Sequence, residues 1–197
     1  MRRGAACFLM NKLSAALLAG GRSRRMGADK AFLDWQSRPL WRHQMEKLQS
    51  LTPEQLIVSC RPEQEFPVLP GVTRVQDARE NCGPLEGIAA CLRVCSAPQL
   101  LVLGIDLPLL PEAFLKALAD AASEDCGAVV QSGEWYEPLA AVYPATLLPM
   151  AERHLDEGRL SLQELIRAAI ADGQMRCVSL PVESAWFTNW NRPGDLS

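Results

Sequence analysis

One loop holds most of the chemistry that side chains could perform in this chain. Residues 18–30 read Leu-Ala-Gly-Gly-Arg-Ser-Arg-Arg-Met-Gly-Ala-Asp-Lys and follow directly on a short apolar run. Gly20 and Gly21 lack the Cβ that would block close approach, so consecutive backbone N–H groups there can converge on an anion. Arg22, Arg24, Arg25 and Lys30 add cations with almost no acid to offset them, which suits the concentrated charge of a triphosphate. The pattern is neither GxxxxGK[ST] nor GxGxxG, so phosphate-loop kinases and dinucleotide-binding dehydrogenases lose their main support. A solvated basic loop built on a glycine turn is the other reading that these residues allow.

Asp106 is the second distinctive position. It closes an almost continuously apolar run, residues 100–105, and is followed at once by Leu107-Pro108. A carboxylate at the tip of a buried strand is poorly solvated, and costly unless a cation compensates it. Mg²⁺ suits this place because it takes few protein carboxylates and completes its shell with phosphate oxygens and water. Taken alone, Asp106 serves equally well as the cap of a helix beginning near Pro111. Asp77 also follows a strand-like run, where an acid commonly serves a turn or a cap. Gly83-Pro84-Leu85 reads as a helix start, whose N–H groups either face an anion or simply open the helix.

These residues need a frame that gathers strand ends on one edge. Short runs rich in Val, Leu or Ile at 14–19, 56–59, 73–76, 100–105, 127–131, 139–143 and 176–180 read as strands. Amphipathic stretches at 40–50, 85–95, 112–123, 147–157 and 162–171 read as helices. The alternation predicts an α/β three-layer sandwich with a mostly parallel central sheet of about seven strands and right-handed crossovers. In such sheets ligands bind beyond the carboxyl ends of the strands, near the switch point of strand order, which is where residues 18–30, Asp77 and Asp106 fall.

Bulk properties narrow the setting. A length of 197 residues suits one domain, expected at 13–197 behind a flexible extension at 1–12, and Met10 serves equally as a natural start. Nothing approaches the roughly 20 apolar residues of a membrane helix. The net charge of −3 argues against nucleic acid as a partner. Met1-Arg2-Arg3 and the apolar stretch after it faintly imitate a signal peptide, but Asn11 and Lys12 interrupt it, so export is rejected. Seven cysteines without CxxC spacing read as reduced cytoplasmic thiols, and two histidines make a histidine metal centre unlike this chain. Cys91 and Cys95, four apart, read as one buried helix face.

The loop motif resembles that of the molybdenum cofactor guanylyltransferases, within the wider nucleotidyltransferase group that shares a Rossmann-like fold. The shared pattern is Leu18-Ala19-Gly20-Gly21, Ser23, Arg25-Met26-Gly27 and Asp29-Lys30. It continues in order through Pro39-Leu40, Asp77, Gly83-Pro84-Leu85-Glu86-Gly87-Ile88, Asp106-Leu107-Pro108, Pro138-Leu139 and Phe187-Thr188-Asn189-Trp190-Asn191-Arg192-Pro193. What the resemblance implies is GTP held by Leu18, Ala19, Gly20, Gly21 and Lys30, with Ser59 and Asp77 toward the base. Asp106 would touch both GTP and Mg²⁺, and Arg25, Lys30 and Asp106 would be the catalytic groups. Members often carry an asparagine after the second strand, whereas this chain reads Ser59-Cys60-Arg61.

The acceptor implied is molybdopterin or its molybdenum-bound form, in a cytoplasmic, monomeric enzyme with transient contact to molybdoenzymes or their chaperones. The resemblance puts acceptor binding at Asn189 and Asn191, which alternation turns to one side of an extended segment, where paired amides suit a pterin edge. Arg159 offers a clamp for the acceptor phosphate, although an ion pair with Asp156 or Glu157 is the commoner fate of such a side chain. The implied reaction is in-line attack of the acceptor phosphate on the α-phosphorus with loss of pyrophosphate. No general base is needed, since a phosphate monoester with a second pKa of roughly 6 is already an oxyanion. Rival readings are a cytidylyltransferase or sugar-phosphate nucleotidyltransferase of the same fold, and a non-catalytic nucleotide-binding partner of molybdoenzymes.

Overall fold

The structure, a computed structural model, describes residues 12–20 and 29–188. In chain order come β1 (Leu13–Leu18), a single 3-10 turn (Lys30–Phe32), β2 (Asp34–Trp35), β3 (Arg38–Pro39), α1 (Leu40–Ser50), β4 (Gln55–Cys60) and β5 (Val72–Gln76). There follow α2 (Pro84–Val94), β6 (Gln99–Gly104), α3 (Glu112–Asp120), β7 (Gly127–Ser132), β8 (Trp135–Pro144), α4 (Leu148–Asp156), α5 (Leu162–Ala171) and β9 (Met175–Cys177).

Seven strands form one sheet in the order β5-β4-β1-β6-β8-β7-β9, in which β8 alone runs against its neighbours. Beginning at β1, the chain steps outward through β4 to β5 and then returns to the other side of β1 as β6. The order therefore reverses at the β1/β6 boundary, and a crevice opens beyond the carboxyl ends of those two strands.

β1 and β6 are buried along their whole length, which explains their nearly unbroken apolar sequences. Alternate side chains serve opposite layers. Leu17, Leu101 and Leu103 join Leu40 and Leu48 of α1 and Phe114 and Leu115 of α3. Ala16, Leu100 and Val102 join Ile88 of α2, Ala151 of α4 and Leu165 of α5. The three-layer α/β architecture expected from the sequence is present, with all five helices where the periodicity placed them.

The differences are local. A two-strand hairpin, β2–β3, was not foreseen, because it turns on Gln36 and Ser37 at φ 49° and 69° rather than on the Asn-Gly type of pair that signals such a turn. The strand expected at 139–143 begins earlier, at Trp135, and the last strand is only Met175–Cys177. No helix among the described residues is long and apolar enough to cross a membrane.

Candidate active site

The ends of β1 and β6 are tied together where the crevice begins. Ile105 donates its backbone N–H to the carbonyl of Leu18 (3.1 Å), so Asp106 starts one residue beyond a direct bond to the strand that leads into Ala19 and Gly20. Ala19 donates to the Ser59 carbonyl at the end of β4 (2.8 Å). Gly21 and Arg25 lie outside the described residues, as do Arg22 and Arg24. Lys30 is described, and its side chain is buried in the 3-10 turn that Asp29 caps by accepting from the Ala31 N–H (3.1 Å).

Asp106 is not the lone carboxylate that its sequence context implied. The antiparallel register of β6 and β8 runs to Leu103↔Ala140, the Gly104 position meets Leu139, and the Glu137 carboxyl, two residues further along β8, lies close enough to feel the Asp106 charge. Glu137 is half-buried, and its carboxyl is pushed up to about 7, first by burial and then by the Asp106 charge. Two contacts fix the backbone around it. Gln163 of α5 uses its amide on both the N–H and the carbonyl of Tyr136 (3.1 and 2.9 Å), and the Tyr143 hydroxyl donates to the Pro138 carbonyl (2.8 Å). Gly104 supplies the space, since a Cβ there would stand 2.7 Å from Asp106 Oδ1 and 3.0 Å from Leu139 Cβ. Asp106 does not cap α3, whose N-cap is Pro111 with no side-chain bond.

The loop after Asp106 is gripped by one face of α1. Gln44 donates to the Gly104 carbonyl (3.1 Å), while the Lys47 ammonium donates to the carbonyls of Pro108 and Leu110 (2.5 and 2.8 Å). Burial lowers Lys47 to about 8, opposed by the charge of Glu112. These α1 groups were not singled out from the sequence, because a helix residue that bonds loop carbonyls carries no local signal.

On the other side of β1, Ser59 and Asp77 meet. The Ser59 hydroxyl and the Asp77 carboxyl lie together beside Gly87, and Asp77 Oδ1 is buried with no hydrogen-bond partner among the described residues. Burial raises this carboxyl above its ordinary range, the Glu86 charge adds to that, and the neighbouring Ser59 hydroxyl and Arg61 oppose it. Gly87 in α2 leaves room for the pair, since a Cβ there would lie 3.1 Å from Ser59 Oγ and 3.8 Å from Asp77 Oδ1. The loop after Asp77 is anchored by Arg79, which pairs with Glu152 (3.2 Å) and Asp156 (2.9 Å) of α4.

Of the expected acceptor groups, Arg159 lies among the described residues. Arg159, in the loop between α4 and α5, pairs with Glu157 (2.5 Å). That loop emerges on the carboxyl edge of the sheet, as the neighbouring Arg79–Asp156 contact shows. Asn189 and Asn191 lie outside the described residues. The segment leading toward them rests on α3, where Trp186 and Phe187 each stack edge-on against Phe114 at 5.7 Å. Sequence reasoning missed Glu137 and Arg61, and each had a signal. Glu137 is an acid placed directly before Pro138-Leu139 at the head of an apolar strand, and Arg61 is a cation immediately after a strand on the ligand edge.

A doubly wound sheet that holds basic residues after one strand and an acid after the next, on either side of its switch point, has the architecture of the nucleotidyltransferases. Solved structures share this fold. A nucleotidyl transferase from Methanothermobacter superposes with a TM-score of 0.71 at 17% identity, covering 92% of each chain. The molybdopterin-guanine dinucleotide biosynthesis protein A of Archaeoglobus fulgidus gives 0.66 at 22%, covering 91% of this chain and 93% of that one. Closer relatives appear by sequence. An Opitutus terrae homologue is 39% identical over 93% of this chain and 92% of its own. The molybdenum cofactor guanylyltransferase of Pseudomonas putida strain GB-1 is 35% identical over 91% of this chain and 93% of its own. With residues 15–174 matching the MobA-like NTP transferase domain, the chain belongs to that family and is a nucleotidyltransferase.

Proposed function

We propose that this enzyme transfers the guanylyl group of GTP to the phosphate of molybdopterin and releases pyrophosphate. The observation that carries the reading is the Leu18–Ile105 bond, which sets Asp106 and the Ala19-Gly20 backbone on the two lips of one crevice. The triphosphate lies along Leu18, Ala19, Gly20 and Lys30, and Gly21 extends the same cradle. Guanine, whose N1–H and 2-amino donors stand side by side, faces Ser59 and Asp77, whose buried Oδ1 accepts from them.

A divalent ion fits beside Asp106, because two half-buried acids near enough for the charge of one to raise the pKa of the other repel unless a cation or a proton relieves them. Mg²⁺, when bound, supplies charge neutralisation at the α-phosphate. The chain does the rest. Gly104 lets the Asp106 carboxylate fold back toward β8, and Gln44 and Lys47 hold the loop on which it stands. Lys30 and Arg25 stabilise charge that builds on the departing pyrophosphate. The acceptor is held by Asn189 and Asn191, and Arg159 exchanges Glu157 for the acceptor phosphate.

The test is pyrophosphate release from GTP, CTP, ATP and UTP in turn, each with Mg²⁺ and molybdopterin. Release with GTP far above the others is expected. Equal release with CTP would overturn the guanine assignment, and no release with any nucleotide would overturn transfer to this acceptor.

A further inference from the structure

We propose that Arg61 is a positioning residue for triphosphate binding, a guanidinium that sets the Gly20 backbone and Lys30 in fixed relation to each other. Its Nη1 donates to the Gly20 carbonyl and its Nη2 to Asp29 Oδ2, both at 2.9 Å. Asp29 spends its other oxygen on the Ala31 N–H, capping the turn that presents Lys30. One planar group thus reaches both ends of the segment that the family pattern assigns to phosphate.

The residues around Arg61 reinforce this role. Its backbone N–H donates to Gln64 Oε1 (3.2 Å), and the Gln64 amide donates to the Ala19 carbonyl (3.2 Å). In a trans peptide the carbonyl and the following N–H point in opposite directions. Holding the Ala19 carbonyl therefore turns the Gly20 N–H away from the residues that follow β4. Arg61 and Gln64 together set both peptide dipoles at the end of β1.

The alternative is that Arg61 attracts phosphate by its charge alone. Its surroundings argue against that. The side chain is 16% exposed, and the charge is already matched by Asp29 at 2.9 Å and by Glu63 at 3.1 Å. A cation so paired contributes little long-range attraction, whereas the rigid fork of a guanidinium is well suited to hold two acceptors at a fixed separation. A lysine has the charge but lacks the fork.

The inference rests on the nucleotidyl-transfer reading for its substrate, but its first readout does not depend on turnover. Binding of inorganic tripolyphosphate with Mg²⁺ is measured by calorimetry on the full chain and on the variants Arg61→Gln, Arg61→Lys, Asp29→Asn and Arg61→Gln with Asp29→Asn. Arg61→Gln is expected to weaken tripolyphosphate binding about tenfold and guanosine binding far less. Arg61→Lys should fail to restore it, and the double variant should bind no worse than the weaker single one, as befits two groups acting through one contact.

Wild-type affinity in Arg61→Gln, recovery in Arg61→Lys, or additive losses in the double variant would each overturn the proposal. Should Arg61→Gln not fold, Asp29→Asn tests the same bridge from its other end, since it keeps a capping oxygen but turns a donor toward the guanidinium. Absence of pyrophosphate release from GTP in the wild type would sink the transfer reading and leave the tripolyphosphate comparison intact.

Discussion

On the β4–β5 side of the crevice, acids and donors already answer one another, with the Ser59 hydroxyl beside Asp77 and Arg61 bonded to Asp29. On the β6–β8 side Asp106 and Glu137 are close enough that, after burial, the charge of one raises the pKa of the other. The first side offers a ligand a shaped set of hydrogen-bonding groups, and among the described residues the buried Oδ1 of Asp77 has no hydrogen-bond partner. The second offers concentrated negative charge held in place by Gln44, Lys47 and Gln163. In the proposed reaction the contrast divides recognition and charge neutralisation between the two flanks of β1, so single substitutions on each flank should fail in different ways.

The largest effect is expected on the β6–β8 side. Asp106→Ala removes the group proposed to face the reacting phosphate and should lower kcat by about 10²–10³-fold, with GTP binding less affected. Stability should not suffer, since the change also relieves Glu137 of a like charge. Pyrophosphate release and the thermal unfolding midpoint, measured on the same sample, check both halves, and undiminished turnover would refute the assignment. Gly104→Ala is a subtler way to the same end. The new Cβ would sit 2.7 Å from Asp106 Oδ1, so the carboxylate must move or the β6–β8 pairing must open. Overpacking of this kind costs about 1–3 kcal/mol. A fall in both unfolding free energy and Mg²⁺ affinity is expected, and an unchanged Mg²⁺ affinity would dissociate Gly104 from the ion.

How legible these features were in the sequence follows the same division. β1 and β6 are short apolar runs and β4 is one in its middle, so Gly20 and Asp106 are found by reading just past a strand, Ser59 at the end of one, and Asp77 directly after the more polar β5. Glu137 belongs to a strand that arrives from the opposite direction, and its approach to Asp106 depends on the antiparallel register of β8 on β6, which a one-dimensional pattern does not specify. The Arg61 bridge likewise joins residues 41 and 32 positions apart. Arg159 shows the converse case. Its spacing fitted both a clamp and a local ion pair, and the pairing with Glu157 is what the chain adopts.

On the β4–β5 side a smaller and more selective loss is expected. Asp77→Asn replaces an acceptor by a group that can turn a donor toward the guanine donors. A site built around paired hydrogen bonds loses about 1–3 kcal/mol of discrimination when one partner is mismatched. The Michaelis constant for GTP should therefore rise about tenfold or more while kcat with saturating nucleotide is retained. Preference for GTP over ATP should shrink in proportion, whereas a fall in kcat alone would place Asp77 with the chemistry instead of the base. Because the native carboxyl is raised by burial and by Glu86, losing its charge should not lower the unfolding midpoint.

The smallest effect separates the two flanks by pH. Glu137 has a folded-state pKa raised from 4.5 to about 7, so the folded protein holds this proton more tightly than the unfolded chain does. The resulting stabilisation is fully present below the unfolded value and is lost as pH rises through about 7. Between pH 5 and 8 the unfolding midpoint of the Mg²⁺-free wild type should thus fall relative to that of Glu137→Gln, in which the proton-linked difference is absent. Taking the difference between the two proteins cancels the contributions of Asp77, His43 and Lys47, which titrate in both. Saturating Mg²⁺ should flatten the difference further, because an ion beside Asp106 replaces the proton as the partner of the second carboxylate. Parallel midpoint curves for the two proteins would mean that Glu137 is not held against Asp106, and the two sides of the crevice would then differ only in where their acids sit.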